Sequence, residues 1–265
     1  MSTHQIQAID VHGHYGIYCR HEFPKLTNQF ATGDSHTVAK RAIENNIQWT
    51  VVSPLLGLFP RGEADATMGN AEAAQVIPET DGLLQWVIID PKRPQTYKQA
   101  DQMLAQPRCV GIKTHPEEHV YPIHEHGRAI FEFAARHDAV SLTHSGQEHS
   151  LPADIVPFAD DHPNVKVILA HIGCSSGPDR TLQVRGVAQS RHGNVYADTS
   201  SAMSLTPGLI EWAVGEIGAE RVLFGTDTPL YSTAMQRARI DKAELGDDEI
   251  RMILRENAVS LLDLP

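Results

Sequence analysis

The sequence predicts a single (β/α)8 barrel over residues 1–265. Three observations lead there. Eight short runs rich in Val, Ile and Leu recur along the chain, with little polar alternation, as strands buried on both faces read. Segments with helical spacing lie between them. A polar residue closes each run, at His12, Ser53, Asp90, His115, His144, His171, Asp198 and Asp227, and successive markers stand 25 to 41 residues apart. Such gaps fit one strand, one helix and two loops.

The expected strands are 6–11, 48–52, 83–89, 109–112, 139–142, 165–170, 195–197 and 221–224. The first two gaps are the longest, so the first two βα loops are expected to be enlarged. Asp34 and Ser35 can cap a helix running to about residue 45. Short helices are expected over 71–77 and 96–105. The segment 128–137 places Ala129, Ile130, Phe133 and Ala134 at helical spacing. Thr206-Pro207 suits a helix start, with Pro at the first helical position. Residues 247–264 read as a closing helix. A doubly wound open sheet would alternate in the same way, but no Gly-x-Gly-x-x-Gly turn follows the first strand.

Composition narrows the function. The formal charge of −11 argues against nucleic acid or an anionic membrane as partner. No apolar run reaches the roughly 18 to 20 residues of a membrane span. The first residues lack the basic and apolar regions of a secretory signal. Three scattered cysteines, Cys19, Cys109 and Cys174, suggest free thiols in a reducing compartment, hence a cytoplasmic protein with a small-molecule substrate. No pattern bears on oligomeric state.

The 15 histidines are the compositional oddity. His12 and His14, two apart on a strand, project to the same side and can chelate one ion. Thr143-His144-Ser145-Gly146, Ala170-His171-Ile172-Gly173 and Gly225-Thr226-Asp227-Thr228-Pro229 end later strands. In a barrel these positions converge at the C-terminal mouth. Four imidazoles and one carboxylate suit Zn²⁺ or a similar divalent ion. Singly, each would read as a hydrogen-bonded core residue.

These motifs resemble the amidohydrolase superfamily, and within it the amidohydrolase-related group of hydrolases, non-oxidative decarboxylases and hydratases. Gly111-Ile112-Lys113-Thr114-His115-Pro116, Val195-Tyr196-Ala197-Asp198-Thr199-Ser200 and the closing Asn257-Ala258-Val259-Ser260-Leu261-Leu262 extend the likeness over nearly the whole chain. The resemblance implies one divalent ion, expected to be Zn²⁺, held by His12, His14, His144 and Asp227. His171 would then act as acid or base, and Asp227 would accept the proton of attacking water. Some relatives carboxylate a strand-four lysine. If Lys113 were so modified, it would bridge two ions and His171 would join the second. Unmodified, Lys113 would bind a substrate carboxylate or pair with an acid.

His115 is a substrate contact, or a cap for the loop before Pro116. His119, His124 and His126 read as a second metal cluster or as a solvated loop. His4 reads as an ordinary N-terminal tail, and His149 as a weak substrate contact. Arg61, and Lys92 with Arg93, are candidates for binding a substrate anion. Ser175-Ser176-Gly177 is a candidate helix start presenting amides to an anion. Cys174 reads as a buried thiol rather than a nucleophile.

The leading expectation is a metal-dependent hydrolase of a small polar amide, ester or lactone. The alternative is a decarboxylase or hydratase using the same site. A metal-free lactonase, with His12 and His14 as substrate contacts, is a third reading. A binding or scaffold protein is the reading from another class, and it leaves the whole ligand set unexplained.

Overall fold

The computed structural model describes residues 5–264; His4 lies outside them. Eight parallel strands pair in chain order: β1 (Ala8–Tyr15), β2 (Ile47–Pro54), β3 (Leu83–Ile88), β4 (Cys109–Thr114), β5 (Val140–Thr143), β6 (Val167–Leu169), β7 (Val195–Asp198) and β8 (Val222–Leu223). Helices fill the connections. The ring is closed by hydrogen bonds between the first strand and the segment after β8. Val11 N–H donates to Phe224 O at 2.9 Å, Asp227 N–H to His12 O at 2.7 Å and His14 N–H to Thr228 O at 2.6 Å. The result is a nearly closed (β/α)8 barrel.

Two hydrophobic layers follow from strand alternation. Ile9, Val11, Val51, Trp86, Leu142, Ile168 and Leu223 pack together inside, with Ala258 and Leu262 of the closing helix. Ala8, Val87, Ile112, Val167, Leu169 and Phe224 face the helices. Simple alternation would send His12 outward, beside Ala8. A register shift between Asp10 and Gly13 changes the parity of β1, and His12 and His14 both reach the mouth.

The enlarged early loops are observed. The chain after β1 forms α1 (Lys25–Phe30) and α2 (Ser35–Glu44), and Asp34 caps α2 through Thr37 N–H. Helix α3 (Ala66–Glu79) is longer than the segment 71–77 because Asp65 accepts from Thr67 and Met68 N–H and starts it early. Helix α4 spans Gln95–Met103. After β4 come α5 (Pro116–His119) and α6 (Ile123–Arg136). Helix α7 covers Pro152–Asp161 and α8 covers Leu182–Gln189.

Two expected helix starts are corrected. Ser175-Ser176-Gly177 opens no helix: the segment is an exposed bend, and α8 begins at Leu182. Thr206-Pro207 does not begin α9 (Leu209–Ile217); Gly208, with a φ of +76°, is its cap. Helix α10 covers Thr233–Asp241, and 247–262 forms the closing helical segment with a π-turn at Met252–Glu256. Among the described residues, no helix is long and apolar enough to cross a membrane.

Gly111 of β4 is one position where a side chain has no room. A Cβ there would lie 2.3 Å from Val140 O and 2.6 Å from Trp86 Cζ3, and Trp86 is itself fixed by its Nε1–H bond to Val11 O at 2.8 Å. Gly111→Ala is expected to cost about 2–3 kcal/mol of unfolding free energy through overpacking. Urea denaturation measures it, and an unchanged midpoint would contradict this packing.

Candidate active site

Asp10 organises the mouth from below. It accepts from Thr226 N–H at 3.0 Å, Thr226 Oγ1–H at 2.6 Å and His12 N–H at 3.1 Å. Burial pushes its carboxyl up to about 7, while those donors pull the other way. One side chain thus locks β1 to the turn that carries Asp227. Asp227 itself sits at a φ of +56° and His171 at +72°. L-residues seldom adopt that region, and both of these line the cavity at the mouth.

Three predicted ligands meet. His14 Nε2 stands 3.1 Å from Asp227 Oδ1, and His12 Nε2 stands 3.7 Å from the same oxygen. The three donor atoms all lie within 4.8 Å of one another, and all three residues are buried. Tautomers follow from the outer partners. His14 Nδ1 lies 3.0 Å from Ser53 O and 3.1 Å from Ser53 Oγ; the carbonyl can only accept, which favours the proton on Nδ1. His12 Nδ1 lies 2.8 Å from Asp198 Oδ2, so it too carries one. His14 Nε2 therefore turns its lone pair to the Asp227 carboxylate, and that of His12 faces Lys113 Nζ, 2.8 Å away. Two acceptors at 3.1 Å repel unless a cation lies between: a proton on His14, or a metal ion that takes both lone pairs. This donor set fits a divalent ion.

Electrostatics agrees. Burial would raise Asp227, but His14, His171 and His12 hold it well below the usual carboxylate range. Burial and the charge of Lys113 push His12 down to about 3, so its ring is neutral and available as a ligand. Lys113 Nζ donates to His12 Nε2 at 2.8 Å. Burial pulls this ammonium down to about 8, while Asp198 and Asp227 oppose the shift. Lys113 thus occupies the lone pair that His12 would offer to a metal.

A second grouping, His12, His171 and Asp198, is a hydrogen-bonded network. Asp198 accepts from His12 Nδ1–H, from His171 N–H at 2.9 Å, from Ser200 N–H at 2.9 Å and from Ser200 Oγ–H. With its lone pairs so engaged, and His12 beside it, Asp198 stays ionised despite burial.

His144 stands outside the group of three. Its Nε2 lies 2.7 Å from Gln147 Oε1, and its buried Nδ1 has no partner. Its ring stacks on His115 at 4.2 Å and meets the His171 ring edge-on at 4.9 Å. Burial, followed by the neighbouring charges of His171 and Lys113, keeps His144 neutral. His115 caps α5 by accepting Glu118 N–H at 3.3 Å, and it also walls the cavity.

The cavity above these groups measures about 210 Å³. Tyr18, Phe59, Tyr231, His115 and His144 give it ring walls. Arg61, the predicted anion contact, stands at its rim and donates to Glu118 Oε1 at 2.9 Å. Arg20 donates to the same oxygen and to Tyr18 Oη, and lies over the Phe59 ring. Cys174 lines the wall, and burial pushes its thiol up to about 11, away from nucleophilic use.

Other candidates lie elsewhere. Lys92 caps the carbonyls of His119 and Val120, and Arg93 holds Ala64 O, Asp65 and Asp90. Neither lines the catalytic cavity. His119 is buried against Gly57 O, His124 is exposed, and His126 packs edge-on to Tyr121. Among the described residues they form no metal grouping. His149 is tied through its backbone to Glu117. Arg20, Glu118, Gln147 and Ser200 were missed. Asp198-Thr199-Ser200 at a strand end was the one available signal; the others sit in loops without pattern.

The family profile described as Amidohydrolase (Amidohydro_2) matches residues 9–264, and the chain belongs to that family. Its fold is similar to that of 2,6-dihydroxybenzoate decarboxylase from Rhizobium, with a TM-score of 0.75 at 15% identity, covering 97% of this chain and 98% of that one. It is also similar to 5-carboxyvanillate decarboxylase from Sphingomonas paucimobilis (TM-score 0.70, 13% identity, covering 98% and 100%). A third similar structure is dihydroxybenzoic acid decarboxylase from Polaromonas sp. JS666 with bound manganese and 2-nitroresorcinol (TM-score 0.75, 14% identity, 97% of each chain). No curated protein matches the chain by sequence. The chain is therefore an enzyme of the amidohydrolase family with a donor set for a divalent metal.

Metal content tests that donor set. After loading with Mn²⁺ or Zn²⁺ and desalting, the protein is expected to keep about one equivalent, and His14→Ala and Asp227→Asn less than about a tenth. Elemental analysis reads the result. Full retention in both variants would place the ion elsewhere.

Proposed function

We propose that this enzyme is a divalent-metal-dependent lyase that removes CO₂ from a small hydroxylated aromatic acid. The carrying observation is the meeting of the His12–His14–Asp227 donors with a small cavity walled by rings. Such a cavity suits a flat substrate better than an extended peptide or acyl chain. The similar decarboxylases support the lyase over the hydrolase expected from sequence, and the manganese in one of them makes Mn²⁺ a candidate beside Zn²⁺.

His12, His14 and Asp227 would hold the ion, and His144 would serve as a further ligand or as a substrate contact. A bound divalent ion supplies positive charge to the substrate's oxygen atoms and favours their anionic form. The stacked His115 and His144 rings present a flat face to the substrate. Arg61 offers its guanidinium to an anionic group. In the reaction the ring–carboxylate bond breaks, CO₂ leaves and the ring carbon takes a proton. His171 and Asp227 both line the cavity, and His171 Nε2 and the Asp227 carboxylate would carry that proton.

Protein loaded with Mn²⁺ or Zn²⁺ and incubated with 2,6-dihydroxybenzoate and other hydroxybenzoates is expected to release CO₂. In His171→Asn, turnover is expected to fall about 10²–10⁴-fold with bound metal retained. CO₂ trapping and metal analysis read the two quantities. Hydrolysis of lactones or esters without any CO₂ release would overturn the lyase reading.

A further inference from the structure

Ser200 has so far been described only as a donor to Asp198, yet its hydroxyl also touches two of the histidines at the mouth. Ser200 Oγ lies 2.8 Å from His171 Nδ1 and 3.0 Å from His12 Nδ1, and its own hydrogen goes to Asp198 Oδ1. All four residues are buried. A hydroxyl has one hydrogen and two lone pairs. The ionised Asp198 can only accept, so it takes that hydrogen. Both remaining contacts must then be donations from imidazole N–H to the hydroxyl oxygen.

The geometry points to Ser200 as a positioning residue that sets the tautomer of His171 and supports that of His12. With Nδ1 protonated, each ring turns an unprotonated Nε2 toward the mouth. For His12 that nitrogen is the metal donor. For His171 it is the nitrogen that takes up and releases the substrate's proton, a role that rests on the lyase reading above. The two histidines depend on Ser200 unequally. His12 keeps a second acceptor, Asp198 Oδ2 at 2.8 Å, whereas Ser200 Oγ is the acceptor of His171 Nδ1–H. Without the hydroxyl, a buried N–H of His171 loses its partner, and the ring is driven to the other tautomer. Its Nε2 then carries a proton already and cannot accept one. The strand-end strain at His171 keeps the ring near this hydroxyl, because the backbone N–H of His171 is held by the same Asp198.

Selective ¹⁵N-histidine labelling reads the tautomers directly in the unaltered protein, metal-free and Zn²⁺-loaded, with His171→Asn giving the assignment. Both His12 and His171 are expected to carry the proton on Nδ1, and a proton on Nε2 of His171 would overturn the inference. In Ser200→Ala, His171 is expected to switch to Nε2–H while His12 does not. The Zn²⁺ dissociation constant should then change by less than about tenfold, and kcat should fall about 10–100-fold with little change in KM. An unswitched His171, or a loss of metal affinity equal to the loss in kcat, would contradict it. Tautomer and metal affinity are read without turnover. If no CO₂ is released by the parent protein while His171 still switches, the lyase reading falls and the role of Ser200 stands.

Discussion

At the centre of the mouth, an imidazole nitrogen and a carboxylate oxygen face each other across 3.1 Å, away from water. His14 is held from behind by Ser53, whose carbonyl oxygen lies 3.0 Å from its far nitrogen. Asp227 cannot withdraw, because its backbone N–H is bonded to His12 O and its turn is tied down by Asp10 through Thr226. The arrangement is stable only with positive charge between the two atoms. The same bonds that close β1 on the segment after β8 therefore also hold the donor set together.

Surrounding charges are arranged around that requirement. Asp198 draws in two histidines and Ser200 from behind, which leaves the ring lone pairs pointing forward. Lys113 supplies a positive charge at His12 Nε2. An ammonium in that position satisfies a buried lone pair that would otherwise cost free energy. At the rim, Arg20 and Arg61 share one Glu118 oxygen, so two guanidiniums line the opening in a chain whose formal charge is −11.

Much of this was legible in the sequence because strand ends in a barrel converge whatever the loops do. The spacing of His12, His14 and Asp227 located the donor set, and the run lengths located the strands. The parity of β1 was not legible. Counting by twos from Ile9 and Val11 sends His12 outward, and only the register shift brings it in. His144 illustrates another limit. Its strand position is as expected, but its Nε2 meets Gln147, three residues on in a loop, and it stands outside the group of three. The Arg20–Glu118–Arg61 contact joins the connections that follow β1, β2 and β4, and no periodicity records such a meeting. Helix starts failed where backbone conformation outranked side-chain capping, as at Gly208.

The central claim is that a metal ion occupies the space between His14 and Asp227. A crystal soaked with Mn²⁺ and measured at the manganese absorption edge tests it most directly. The account predicts one anomalous peak within about 2.0–2.4 Å of His12 Nε2, His14 Nε2 and an Asp227 oxygen, with Lys113 moved off His12. A peak bound elsewhere, or Lys113 still bonded to His12 Nε2 in fully loaded crystals, would contradict it.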